Sequence, residues 1–231
     1  MSEVVTAADA ELARSILACP ATAEVAVDGF PAVGCDRDLG LRDDDGTPTF
    51  SCLSTSPMAQ AGRAGSRALV TLASGLGPAG GAGRRLTLTL TGTLRAGPVE
   101  SCTCCGEQRH DVALDLDFVV LAGGDGDQRR VPLGAFRSPD LALNRGYLQR
   151  ALEHANDCHR EDLGQVVART TGTPPEHLLD VSLADLTTQG AELSWIDRRG
   201  GHRASLWFSR PARTVAELAV LLRRELHAGI C

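Results

Sequence analysis

The stretch Arg84 to Ala96, RRLTLTLTGTLRA, constrains the fold more than any other part of the chain. Leu86, Leu88, Leu90 and Leu94 fall on one side of an extended chain, and Thr87, Thr89, Thr91 and Thr93 on the other. Alternation of this kind fits a strand with one covered face and one open face. A partner follows after the loop PVESCTCCGEQR. In HDVALDLDFVVLA, the residues Val112, Leu114, Leu116, Phe118 and Val120 share a face. Upstream, ATAEVAVDGFPAVGCDRD reads as two strands joined at Asp28-Gly29, a dipeptide that favours a hairpin turn. TFSCLSTS and RALVTLAS read as further strands, and QRRVPLGAF as another after the central pair. Between them LRDDDGTP is a polar turn, with Asp43, Asp44 and Asp45 solvated, and PMAQAGRAGS is a short helix or loop. A helix from Thr6 to Ala18 opens the chain and stops before Pro20. Six or seven successive strands with short connections indicate an antiparallel barrel or sandwich over residues 1–140.

From Asn144 the pattern changes to α+β, giving a second domain over residues 144–231. The run Asn144 to Thr170 has no proline and one internal glycine, Gly164, after its opening turn, and reads as a single long helix. At about 100° per residue Leu148, Ala155, His159 and Val166 project almost together, while His154 points roughly 140° away, beside Cys158. An imidazole on the apolar face is equally that of a packing residue. TPPEHLL then reads as a helical turn capped by Thr173, with Pro174 first. DVSLADLTTQG is a strand, and AELSWID pairs with HRASLWFS around Arg198-Arg199-Gly200-Gly201. Trp195, Trp207 and Phe208 on that hairpin read as core. A last helix opens with a capping box, Thr214 to Glu217, and carries Val215, Leu218, Leu222 and Leu226 on one stripe.

Composition excludes several functions. The net charge of -6 argues against a nucleic-acid partner. There is no apolar run of about 18 residues to span a membrane. The start, MSEVVTAADAELARS, is acidic and polar where a secretory signal is basic and then apolar, so a cytoplasmic protein is expected. All 23 basic residues are arginine. Without lysine no pyridoxal phosphate Schiff base forms, and no Walker-type phosphate loop is present. Eight cysteines in such a chain point to reduced thiols, to metal binding or to redox chemistry. Cys102 and Cys105 have the two-residue gap of a zinc knuckle, and His110 follows as a further ligand candidate. Cys35 or Cys52 from a neighbouring strand would complete such a zinc site. His110, His177 and His202 also read as surface residues of strands and turns.

In order, these segments resemble the pyridoxamine 5'-phosphate oxidase-like, FMN-binding split-barrel family, in its haem-utilisation (HugZ-like) branch with an added C-terminal domain. The first half carries ATAEVAVDGFPAV, DDDGTPTFSCLSTSPMAQ, SRALVTLA and RRLTLTLTGTL. The second carries HANDCH at His154 to His159, similar to an H-x-N-x-x-H helix motif. It also carries GAELSWIDRRG and RASLWFSRPARTVAELAVLLRREL with the Arg210-Pro211 step. The resemblance implies an antiparallel split β-barrel followed by a smaller α+β domain, pairing into a homodimer. It also implies a haem-binding protein or haem oxygenase, with His154, His159 or His227 as iron ligand and Arg150 and Arg160 as propionate partners. One departure stands out. After Leu53-Ser54 the flavin-binding branch has His-Thr-x-Asn, whereas this chain has Met58-Ala59-Gln60, leaving Ser54, Thr55, Arg63 and Arg67 as the groups for an FMN phosphate. Two alternatives follow from it: a non-catalytic regulatory module with a degenerate flavin site, and a flavin- or deazaflavin-dependent reductase.

Overall fold

The computed structural model of the chain describes residues 7–30, 40–78, 80–101, 108–124 and 126–226. The chain divides into two compact units, residues 1–146 and 147–231. In the first, the leucine-threonine stretch forms β5 (Thr87–Ser101), which pairs antiparallel with β6 (Gln108–Ala122). On the other edge of β5 lie β4 (Arg67–Ser74) and then β1 (Pro20–Val27). On the other edge of β6 lie β3 (Thr47–Leu53) and then β2 (Arg42–Asp44), with β7 (Gln128–Arg130) at the far end of β6. The order β1-β4-β5-β6-β3-β2 makes a curled antiparallel sheet, a split β-barrel. Its inner face buries Phe50, Val70, Leu72, Leu88, Leu90, Leu94, Val112 and Leu114 completely. Each such side chain contributes roughly 1.5–3 kcal/mol relative to exposure.

Three details differ from the strand pattern. First, β1 finds its partner in β4, from Val27 opposite Ala68 to Pro20 opposite Ser74. Asp28-Gly29 does turn the chain, with Gly29 at φ 81°, but the expected second hairpin strand falls largely on residues 31–39, outside the described residues. Second, Phe118 and Val120 leave the buried face, and Val119 and Leu121 replace them at 0% exposure. A β-bulge is the cause: Thr91 pairs with Phe118 but Gly92 pairs with Leu116, so Asp117 is an extra residue and the period-2 phase flips. Glycine is required there, because a Cβ on Gly92 would lie 2.1 Å from the Asp115 carbonyl oxygen. Third, β7 is short, and Pro132 caps a helical turn, α3 (Leu133–Phe136), where a strand was expected to continue.

Two helices cover the barrel core. α1 (Ala7–Ala18) buries Ala10, Ala13, Ile16 and Leu17, and with them Arg14, which is only 1% exposed. Arg14 Nε donates to Asp43 Oδ2 at 2.8 Å and Nη1 to the Phe136 carbonyl at 2.9 Å. Asp43, read as a solvated turn residue, is thus the counter-ion of a buried guanidinium. α2 (Pro57–Ala64) is capped by the Ser56 hydroxyl, which accepts from Ala59 N–H at 3.1 Å, and stops at Gly65 in the left-handed region. Met58, Ala59 and Ala61 of α2 are fully buried.

The second unit contains α4 (Arg145–Cys158), most of which lies in it, followed by α5 (Arg160–Thr171), a three-stranded meander and α6 (Val215–Leu226). The meander runs β8 (Leu178–Leu186), β9 (Gly190–Asp197) and β10 (Gly200–Trp207), in the order β10-β9-β8. Val181, Leu183, Leu186, Ala191, Leu193 and Trp195 are buried, as are Leu163, Val166 and Val167 of α5, which packs against β8. Phe208 is buried, but Trp207 is 70% exposed. Trp195 and His202 are opposite each other and share a face, so parity turns Trp207 to the other one. The turn before β8 spans Pro175–His177 with Pro174 in the capping position and no side-chain cap from Thr173. α6 keeps one half of the expected capping box: Thr214 Oγ1 accepts from Glu217 N–H at 3.1 Å, whereas the Glu217 carboxylate accepts from the N–H of Arg213, one residue before the cap, at 2.8 Å.

Candidate functional site

The long helix expected from Asn144 to Thr170 is two helices, broken at His159. Asn156, Asp157, Cys158 and His159 are four weak helix formers in a row, and His159 takes φ -125° and ψ 26°. The break is a bend: His159 N–H still donates to Ala155 O at 2.9 Å, and Leu163 N–H to His159 O at 3.0 Å. Asn156 anchors it. Its amide nitrogen donates to Leu183 O at 3.0 Å and its oxygen accepts from Leu183 N–H at 2.7 Å, where the β8–β9 register shifts. Glu161 and Asp162 then fill the first turn of α5, where carboxylates favour the helix dipole.

The bend changes the geometry of the histidines. On a straight helix their rings would point about 140° apart. Here they meet, with ring centroids 5.1 Å apart at an interplanar angle of 73°. His159 is mostly covered, at 16% exposure, and its Nδ1 lies 3.1 Å from Asp162 Oδ2. His154 is exposed. Arg150 lies one turn before His154 on the same face of α4. Arg160 forms an exposed ion pair with Asp180 at 3.4 Å. Burial of Tyr147 pushes its hydroxyl above the usual range, against the opposing effect of Arg150. The thiol of Cys158 is exposed.

His227, Cys102, Cys105 and Cys35 lie outside the described residues. His110 sits on β6 opposite Cys52 of β3, with its Nδ1 buried and unpartnered. Burial pushes the Cys52 thiol upward, opposed by the Ser56 hydroxyl and Arg109. Among the described residues no three histidine, cysteine or carboxylate side chains stand together as a metal cluster. The groups considered for an FMN phosphate have structural partners. Ser54 Oγ donates to Gln108 O at 3.2 Å, Arg63 donates to Ser54 O at 3.3 Å, and Arg67 pairs with Asp117 at 2.9 Å. Gln60 donates to Thr55 O at 3.2 Å, and Met58 and Ala59, at the departed His-Thr-x-Asn positions, are helix packing residues.

Other polar groupings lie elsewhere. In the second unit His202 stacks on Trp195 at 5.3 Å and its Nε2 lies 2.9 Å from Asp197 Oδ1. The His202 bond and the Arg199 N–H hold the Asp197 carboxyl below the usual range. A cleft of about 310 Å³ beside it is lined by Thr171, Thr173, His177, Arg198 and Arg199. Asp162, three residues after His159, is the residue of the bend that spacing alone could have flagged, because it falls on the same helix face.

No family model and no curated protein matches the chain. Among solved structures, it is similar to a haem-binding protein from Mycobacterium smegmatis, with 14% identity over 97% of each chain and a TM-score of 0.45. It is also similar to a protein of unknown function from Agrobacterium tumefaciens, with 16% identity over 97% of this chain and 99% of that one, and a TM-score of 0.42.

Proposed function

We propose that the chain binds haem at the bend between α4 and α5, with His154 as the iron ligand. The observation that carries this reading is an exposed imidazole, His154, backed by a second one that Asp162 holds in place. Iron ligation needs a neutral imidazole on a rigid element, and the Asn156–Leu183 pairing supplies the rigidity. Arg150, one turn away, is the group to meet a propionate. Rings in edge contact leave no room for a porphyrin between them, so only one of the pair ligates a given iron. His159 therefore supports His154. Bound haem would supply the O₂ chemistry of a haem oxygenase of the HugZ-like kind. The residues of this chain would hold the iron and orient the ring. Titration of the purified protein with hemin tests the reading. A saturable Soret shift that is lost in His154→Ala supports it, and no shift, or one unchanged when His154, His159 and His227 are all removed, ends it.

A second reading is favoured by the internal partners of Ser54, Arg63 and Arg67. It is a non-catalytic binding module that kept the barrel and lost the flavin. It requires a colourless protein with no affinity for hemin and a specific protein partner.

A further inference from the structure

We infer that His154 and His159 together chelate a single divalent transition-metal ion of the kind imidazole prefers, such as Co²⁺, Ni²⁺, Cu²⁺ or Zn²⁺. Two imidazoles bound to one tetrahedral ion at a metal–nitrogen distance of about 2.0–2.1 Å have ring centroids about 5 Å apart. The two rings stand at 5.1 Å without any rearrangement of the backbone. Edge-to-face attraction between two neutral rings accounts for contact, but it does not require their nitrogens to be available. Here they are. His159 Nδ1 is engaged with Asp162, so that carboxylate favours the tautomer whose Nε2 carries the lone pair. Neither His159 Nε2 nor either ring nitrogen of His154 has a hydrogen-bond partner among the described residues.

The platform is built to hold this spacing. Ala155 and Leu163 are buried on either side of the bend, and Asn156 ties the end of α4 to Leu183. No third histidine, cysteine or carboxylate joins the pair among the described residues. The ion would therefore keep water in its remaining positions and exchange readily. The inference does not rest on the haem reading, since the ion requires both imidazoles and haem requires one.

Titration of the full, reduced, haem-free chain with Co²⁺ tests it, because cobalt absorption separates imidazole from thiolate ligation. Visible d–d bands stronger than those of aqueous Co²⁺, without near-ultraviolet thiolate charge transfer, are expected, and Cys158→Ser should leave them in place. His154→Ala and His159→Ala should each abolish the bands. His154 is exposed, so its replacement leaves the fold intact by far-ultraviolet circular dichroism. Asp162→Asn should weaken binding roughly ten-fold while preserving the spectrum, as loss of a ligand-orienting partner does. A cobalt spectrum no different from that of the aqueous ion, or intensified bands that persist in His154→Ala, would overturn the proposal. A chain that binds Co²⁺ through this pair but takes up no hemin upholds the metal site and ends the haem reading.

Discussion

Replacing Asp43 with alanine should be among the most damaging single changes in the first unit. Arg14 is 1% exposed and the Asp43 side chain 9%, and they are joined at 2.8 Å. Among the described residues the guanidinium has two other interactions, with the Phe136 carbonyl at 2.9 Å and with the Phe136 ring at 5.7 Å from its centroid. Neither carries a full negative charge. Removing the carboxylate leaves a buried cation uncompensated, which costs about 3–5 kcal/mol. For a protein of this size that lowers the midpoint of thermal unfolding by about 6–20 °C. Arg14→Met combined with Asp43→Ala removes both charges and should recover most of the loss. The pH dependence has a definite sign. Burial pushes the Asp43 carboxyl upward and outweighs Arg14 and the Gly46 N–H, which hold it down. A raised carboxyl favours folding most when protonated, so its contribution is complete below the unfolded value of about 3.8 and is lost as pH rises through the folded one. The advantage of the wild type over Asp43→Ala should therefore narrow across that window, yet remain large at pH 7 because of the Arg14 pairing. Urea unfolding of both single variants and the double variant at several pH values provides the test. A cost below about 1 kcal/mol at pH 7, or a double variant no more stable than Asp43→Ala, would refute the reasoning.

Three further outcomes are expected. Gly92→Ala should cost about 2 kcal/mol or more by chemical denaturation, because its Cβ would collide with the Asp115 carbonyl at the bulge. In the second unit the depressed Asp197 carboxyl contributes stability that is present above about pH 3.8 and lost as pH falls through its folded value. Asp197→Asn should accordingly flatten the acid limb of an unfolding curve followed by Trp195 fluorescence. Trp207→Ser should change stability by no more than about 0.5 kcal/mol, whereas Trp195→Ala should cost about 3–5 kcal/mol, as calorimetry can show.

The alternation of leucine and threonine in β5 was enough to indicate an antiparallel barrel, because a period-2 pattern has one structural solution. The same rule failed past Leu116. A bulge adds one residue to one strand only, and its signal, a lone glycine on the partner strand, is visible only once the register is known. Trp207 failed for a related reason: parity along β10 is fixed by pairing with β9, whereas the tryptophan's size suggested core. Helical spacing found His154 and His159 but placed them on opposite faces. Their meeting depends on the break at His159, which Asn156 secures through a strand 27 residues away. Arg14 and Asp43 are 29 residues apart, and nothing local marks either as buried.

The most direct test of the haem reading is the equilibrium affinity for hemin of the full chain compared with that of His154→Ala, followed at the Soret band. Ligation through His154 predicts saturable one-to-one binding that weakens at least about ten-fold, or 1.4 kcal/mol, when the imidazole is removed. Equal affinity in the two proteins, or no binding in either, would contradict it.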